Sequence, residues 1–187
     1  RCLGLPGSLR ECIETIASMN TRMIDVGRLN DRDYFLTTCA GGLFVSASFS
    51  ASVRFKKLLG PLAYYCRALL ESSYIRTFDL KITTEAGILH EEVILFLVSN
   101  GKGAAGFNNL VEDAEFSDGA MDIVLVRECG YWELVSLLFK AFRGQGLSGR
   151  PVIRLKARCC LAESRREVPL SVDGERSGSL PLRIEMV

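Results

Sequence analysis

From Phe78 onward the chain is a train of short apolar runs separated by turn residues, and no other feature limits its fold so tightly. Phe78-Asp79-Leu80-Lys81-Ile82-Thr83 alternates apolar and polar side chains, the period of a strand with one buried face. Glu85-Ala86-Gly87 predicts a turn, and the run 92–98 predicts a returning strand buried more deeply. Residues 121–126, 153–161, 168–172 and 180–186 predict further strands. Upstream, 23–27 and 34–40 read as strands, with Asn30-Asp31 as a hairpin turn between them and Gly41-Gly42 ending the second. Helical patterns are fewer. Ser8 is placed to cap a first helix with Glu11 closing a capping box, and Leu9, Cys12, Ile13 and Ile16 share one face. Residues 51–71 form the longest helical stretch, with Leu58, Leu62, Tyr65 and Leu69 at helical spacing and Pro61 at a start or a kink. Residues 131–142 predict another helix, ended by Gly144. The expected fold is mainly β, α+β overall: an antiparallel β-sandwich with two or three helices.

Composition narrows the function classes. A chain of 187 residues, 48% hydrophobic and 24% charged, can bury the core of one domain. A net charge of +1 argues against a broad nucleic-acid footprint. No apolar run approaches the roughly 20 residues that span a bilayer. Seven cysteines occur without a Cys-x-x-Cys pair and beside a single histidine, His90, so a zinc site is not expected. Buried, reduced thiols and a cytoplasmic location fit better. The opening Arg1-Cys2-Leu3, without an initiator Met, reads as truncation or processing.

Two acidic turns carry the candidate chemistry. Ser171-Val172-Asp173-Gly174-Glu175 sets two carboxylates around one glycine. Asp-Gly is a favoured two-residue hairpin turn, yet the side chains of Asp173 and Glu175 would face the same side if the backbone stayed extended. Asp118-Gly119 is a second tight turn, with Glu112, Asp113 and Glu115 adding negative potential or simply forming a solvated loop. Arg54, Lys56 and Lys57 form a basic helix start, and Arg143, Arg150 and Arg154 could attract anionic lipid. His90, among polar residues, is expected to be exposed. Tyr131 and Trp132 open a helix, either as core packing or as a membrane-interface anchor.

Three segments together resemble the C-terminal half of the bacterial diacylglycerol kinase-like lipid kinases. They are Lys57-Leu58-Leu59-Gly60-Pro61-Leu62-Ala63-Tyr64-Tyr65; then Phe96-Leu97-Val98-Ser99-Asn100 with Gly106-Phe107 and Ser117-Asp118-Gly119-Ala120-Met121-Asp122; and Val172-Asp173-Gly174-Glu175. Asp25-Val26-Gly27 followed by Phe35 is similar to that family's opening of the domain. The family's Gly-Gly-Asp-Gly-Thr phosphate loop does not occur here.

The resemblance implies a set of expectations. Residues 1–20 would be a helix belonging to or leading from an N-terminal nucleotide-binding α/β domain that this chain lacks, and 21–187 would form the sandwich domain. A structural Mg²⁺ would be held by the Asp118 side chain with the carbonyls of Glu115 and Ala120. Glu175 would accept the proton of a lipid hydroxyl, with Asp173 in the surrounding Mg²⁺–water network, and Lys56 or Arg54 would stand near the ATP phosphates. The activity implied is ATP- and Mg²⁺-dependent phosphorylation of diacylglycerol or a related lipid by a peripheral membrane enzyme, with a homodimer left open and this chain inactive alone. Two alternatives stand beside it. One is a non-catalytic lipid-binding module; the other is a kinase of similar architecture acting on a non-lipid substrate such as a nicotinamide dinucleotide.

Overall fold

The computed structural model describes residues 8–19, 21–43, 45, 76–103, 107, 109–111 and 113–187. The expected helix over 51–71, with Arg54 and Lys56, lies outside them.

Eleven strands pair, always antiparallel, and two helices accompany them among the described residues. In chain order these are α1 (Leu9–Ala17), β1 (Gly27–Leu29), β2 (Asp33–Phe35), β3 (Thr38–Gly42), β4 (Phe78–Thr84), β5 (Gly87–Ser99), β6 (Met121–Arg127), α2 (Tyr131–Phe142), β7 (Val152–Ala157), β8 (Cys159–Glu163), β9 (Pro169–Val172), β10 (Glu175–Ser179) and β11 (Leu182–Met186). Helix α1 starts as expected, with the Glu11 N–H donating to Ser8 Oγ at 3.2 Å.

The sheet curls into two layers, and β5 belongs to both. Its first half, Gly87 to Val93, pairs with β4, which continues through β8, β11 and β1 to β2. Its second half, Leu95 to Ser99, runs between β3 and β6, with β9 and β10 beyond β3 and β7 beyond β6. The change of partner falls at a bulge on Ile94, where the β6 register passes from Val93↔Arg127 directly to Leu95↔Val126. An extra residue bends a strand, and here the bend carries β5 from one layer to the other.

Side chains from both layers fill the space between them, among them Phe35, Ile82, Phe96, Met121, Ile123, Leu125 and Ile184. The outer face of the second layer is covered as well. Ile94, Leu97, Val124 and Val126 meet Leu134, Leu137, Leu138 and Ala141 of α2. Burial on both faces explains why β5 and β6 read as continuous apolar runs, while β4, with one face buried, alternates.

Three strand expectations need correction. The strand over 34–40 is two, β2 and β3, parted at Leu36-Thr37. The strand over 153–161 is also two, parted at Arg158. Both breaks are corners where the chain leaves one layer for the other, and at each a carboxylate from a distant hairpin turn takes the backbone N–H groups freed there. Asp173 does so at the first corner, and Glu85 at the second, accepting from the Arg158 N–H at 2.6 Å. Finally, regular pairing begins at Gly27, not Met23, and β10 stands at Glu175–Ser179, between the two expected strands 168–172 and 180–186. Within β10 a bulge between Arg176 and Ser179 accommodates Gly178 at φ +55°.

Candidate functional site

The β9–β10 hairpin closes with Asp173 and Gly174 at φ +47° and +90°, so Val172 faces Glu175 directly. Positive φ at both central residues is the turn that matches strand twist, and it is why Asp-Gly stands here. The backbone therefore reverses between the two carboxylates. Of the two readings the sequence left open, the hairpin turn is the one found, and the extended backbone that would set Asp173 and Glu175 on one face does not occur.

Their chemistry separates accordingly. The Asp173 carboxylate accepts from the Leu36 N–H (2.7 Å), the Thr37 N–H (2.9 Å), the Thr37 hydroxyl (2.6 Å) and the Thr38 N–H (2.9 Å). Three of these donors converge on Oδ1 and one reaches Oδ2, so most of the carboxylate's acceptor capacity of about four sites is taken up. Partial burial pushes the Asp173 carboxyl upward, but the four hydrogen bonds outweigh it and hold the group below the ordinary carboxylate range. Glu175 is exposed and takes part in no hydrogen bond or ion pair with a described residue. Of the two, Glu175 keeps lone pairs free for a proton.

A chain of hydrogen bonds joins this turn to the Asp118-Gly119 turn. Leu36, whose N–H meets Asp173, accepts through its carbonyl from Asn100 Nδ2 at 3.0 Å. The same amide donates to the Asp25 carbonyl at 2.7 Å, and Asp25 Oδ2 accepts from the Gly119 N–H at 2.6 Å. Asn100 is fully buried, and its Oδ1 is the only buried side-chain oxygen without a partner among the described residues. One acceptor is thus held open in the middle of the network. The run from Phe96 to Asn100 and the Asp25-Val26-Gly27 motif both belong to this end of the sandwich, although composition alone gave neither a role. Thr37 and Lys156 carried no signal in the sequence.

Asp118 closes its own turn, Oδ1 accepting from the Ala120 N–H at 3.0 Å. Its other oxygen pairs with Lys156 Nζ at 2.6 Å. That bond, with Asp122 and Glu115 nearby, holds the Lys156 ammonium above its usual range. Half-buried Asp122 is pushed upward, chiefly by desolvation. A compact cation with acidic oxygens about it therefore occupies this place already. A hard ion such as Mg²⁺ takes carboxylate, carbonyl and water oxygens, and Asp118 offers the carboxylate here, with its Oδ2 engaged by Lys156. No group of three or more metal-ligating side chains occurs among the described residues.

Other candidates fall away. His90 is exposed on β5 opposite Lys81. Cys39 and Cys160 are buried thiols pushed up to about 12, chiefly by desolvation, and no disulfide joins the described cysteines.

A two-layer antiparallel sandwich with one helix-covered face and two linked acidic turns defines the class. Residues 44–187 match the YegS C-terminal NAD kinase β-sandwich-like domain, and the chain belongs to that family. It is 32% identical over 181 residues to the diacylglycerol kinase of Staphylococcus carnosus (strain TM300), covering 97% of this chain and 59% of the relative. It is 33% identical to that of Staphylococcus haemolyticus (strain JCSC1435), covering 97% of this chain and 54% of the relative. A Bacillus anthracis (strain Sterne) protein assigned as a diacylglycerol kinase superposes with a TM-score of 0.81 at 25% identity, over all of this chain and 61% of that one. The chain thus spans little more than half the length of the relatives it matches, and the resemblance to diacylglycerol kinase-like proteins holds. No helix among the described residues is long and apolar enough to cross a membrane.

Proposed function

We propose that this chain is the substrate-side domain of a kinase that phosphorylates the hydroxyl of diacylglycerol or a related lipid, using ATP. Residues 21–187 form that domain. Helix α1, with Leu9, Ile13 and Ile16 exposed along one face, leads to the nucleotide-binding domain. The observation that carries the reading is the division of labour at the Asp173-Gly174 turn: one carboxylate engaged by three backbone N–H groups and a hydroxyl, the other without a partner among the described residues two positions on.

In the proposed step the Glu175 carboxylate takes the proton of the lipid hydroxyl. The hydroxyl oxygen bonds to the γ-phosphorus of ATP as the bond to the ADP oxygen breaks. Asp173 is a positioning residue, fixing the turn against β3 so that Glu175 is presented. The structural Mg²⁺ would be held by Asp118 with the carbonyls of Glu115 and Ala120, supplying fixed positive charge to this loop. Arg54 and Lys56 remain, on sequence grounds, the candidate cations for ATP phosphates. The enzyme would work from the cytoplasm at a membrane surface.

The test is Glu175→Gln in the full-length protein, assayed with labelled ATP and diacylglycerol in mixed micelles. Loss of a general base typically costs about 10²–10⁴-fold in kcat. Melting temperature should not move, because the carboxylate has no described partner. A folded variant keeping more than about a tenth of wild-type kcat would return Glu175 to the role of an exposed turn acid. A substrate panel that includes a nicotinamide dinucleotide separates the lipid reading from the alternative suggested by the family's NAD kinase-like fold.

A further inference from the structure

Helix α2 is apolar on both sides. Its inner side, Leu134, Leu137, Leu138 and Ala141, packs on the second layer. On its outer side Trp132 is 79% exposed and Phe139 54% exposed, with Tyr131 edge-on to Trp132 at 5.3 Å between ring centroids. Trp132, Ser136, Phe139 and Arg143 follow one another at four, three and four residues, so they form one line along the helix. The Arg143 guanidinium lies over the Phe139 ring, 4.3 Å from its centroid.

Charge is arranged about this line with one sign at one end. Between Glu133 and Glu163 there is no acidic residue, while Lys140, Arg143, Arg150, Arg154, Lys156 and Arg158 all fall in that interval. Lys156 is paired with Asp118, Arg154 donates to the Leu147 carbonyl, and Arg158 lies at the Asp118-Gly119 turn, donating to the Gly119 carbonyl. Lys140 and Arg143 remain at the C-terminal end of α2, with Arg150 in the loop beyond; Lys140 reaches the Ser148 carbonyl at 3.1 Å. The acids nearest in sequence, Glu128 and Glu133, stand at the other end, and Glu133 is turned back to accept from the Gly130 N–H at 3.1 Å; Asp113 lies beside Val111 and Ala114, which pack with the inner side of α2 and not with its outer line.

We propose that the outer face of α2 docks on an anionic lipid surface, Trp132 and Phe139 entering the headgroup region and Lys140, Arg143 and Arg150 meeting lipid phosphates. Aromatic residues prefer that depth, and basic side chains beside an apolar face are how interfacial helices bind anionic bilayers. The choice of occupant rests on the lipid-kinase reading; the face itself does not.

Trp132 is the only tryptophan of the chain, so its emission reports this face alone. The 187-residue chain is mixed with vesicles of phosphatidylcholine alone or phosphatidylcholine with phosphatidylglycerol, some carrying brominated acyl chains. Blue-shifted emission, quenched by brominated lipid only where phosphatidylglycerol is present, is the expected result. Binding should fall between about 0.1 M salt, where the Debye length is about 10 Å, and about 1 M, where it is about 3 Å. Lys140→Gln with Arg143→Gln should weaken partitioning about thirtyfold, and Phe139→Ser, at an exposed position, should weaken it without loss of folding. Unchanged emission with every vesicle would overturn the proposal. So would equal binding to phosphatidylcholine alone, or a blue shift that grows with protein concentration and needs no lipid, which would mark an interface between two copies. The measurement uses neither ATP nor turnover. Vesicle docking by a protein that phosphorylates no lipid would therefore sink only the kinase reading.

Discussion

At the scale of single residues, the two carboxylates of the Asp173-Gly174-Glu175 turn answer to different measurements. Asp173→Asn replaces an acceptor oxygen with an NH₂ that faces N–H donors. Unfolding free energy at neutral pH should drop by about 1–2 kcal/mol, the low end for hydrogen bonds to a charged acceptor because the turn is exposed. The pH dependence has a definite sign. The Asp173 pKa is depressed in the fold, so its contribution is present above the unfolded value, roughly 3.9, and is lost as pH falls through the folded one. The gap between wild type and Asp173→Asn, followed by urea unfolding, should close as pH falls from about 5 toward 2. A gap unchanged over that interval would show that the carboxylate's charge contributes nothing. The turn was legible from Asp-Gly and its flanking apolar run. Its engagement with Leu36, Thr37 and Thr38 was not, because no local pattern marks a partner 135 to 137 residues away.

At the scale of elements, period and turn chemistry located most strands, and the errors cluster where strands change layer. The residues of β2 and β3, like those of β7 and β8, read as one apolar run each, and a run does not reveal that a remote carboxylate has claimed its middle. The Asn30-Asp31 turn was correctly placed, both residues having positive φ. Gly27 shows how a glycine in a strand pattern is explained only by its neighbour. It stands opposite Phe35, and a Cβ built on it would come within 1.9 Å of that ring. Phe35 is 1% exposed and cannot swing away without leaving the core. Gly27→Ala should therefore cost about 1–3 kcal/mol by overpacking, read as a lower denaturant midpoint with an unchanged m-value. A variant as stable as wild type would show that the β1–β2 hairpin adapts freely.

At the scale of the whole molecule, the sandwich was legible because antiparallel strands with one buried face announce themselves, and α2 was legible from its period. The linkage from Asp173 through Asn100 to Gly119 was not, since each of its side chains, Asp173, Asn100 and Asp25, meets a backbone group that every residue carries. The passage of β5 through both layers has a further meaning for how the molecule comes apart. Because β3, β4 and β6 all depend on one strand, the sandwich has no seam along which half of it can open. Amides of β5 beyond the Ile94 bulge should exchange with solvent hydrogen only through global unfolding, while edge strands β2 and β10 exchange through smaller openings. Exchange of β5 amides at a distinctly lower opening energy than those of β6 would show a divisible molecule. Otherwise a cut in β5 cannot yield two surviving halves, and a protease or a splice site that spares this strand is the only kind the fold tolerates.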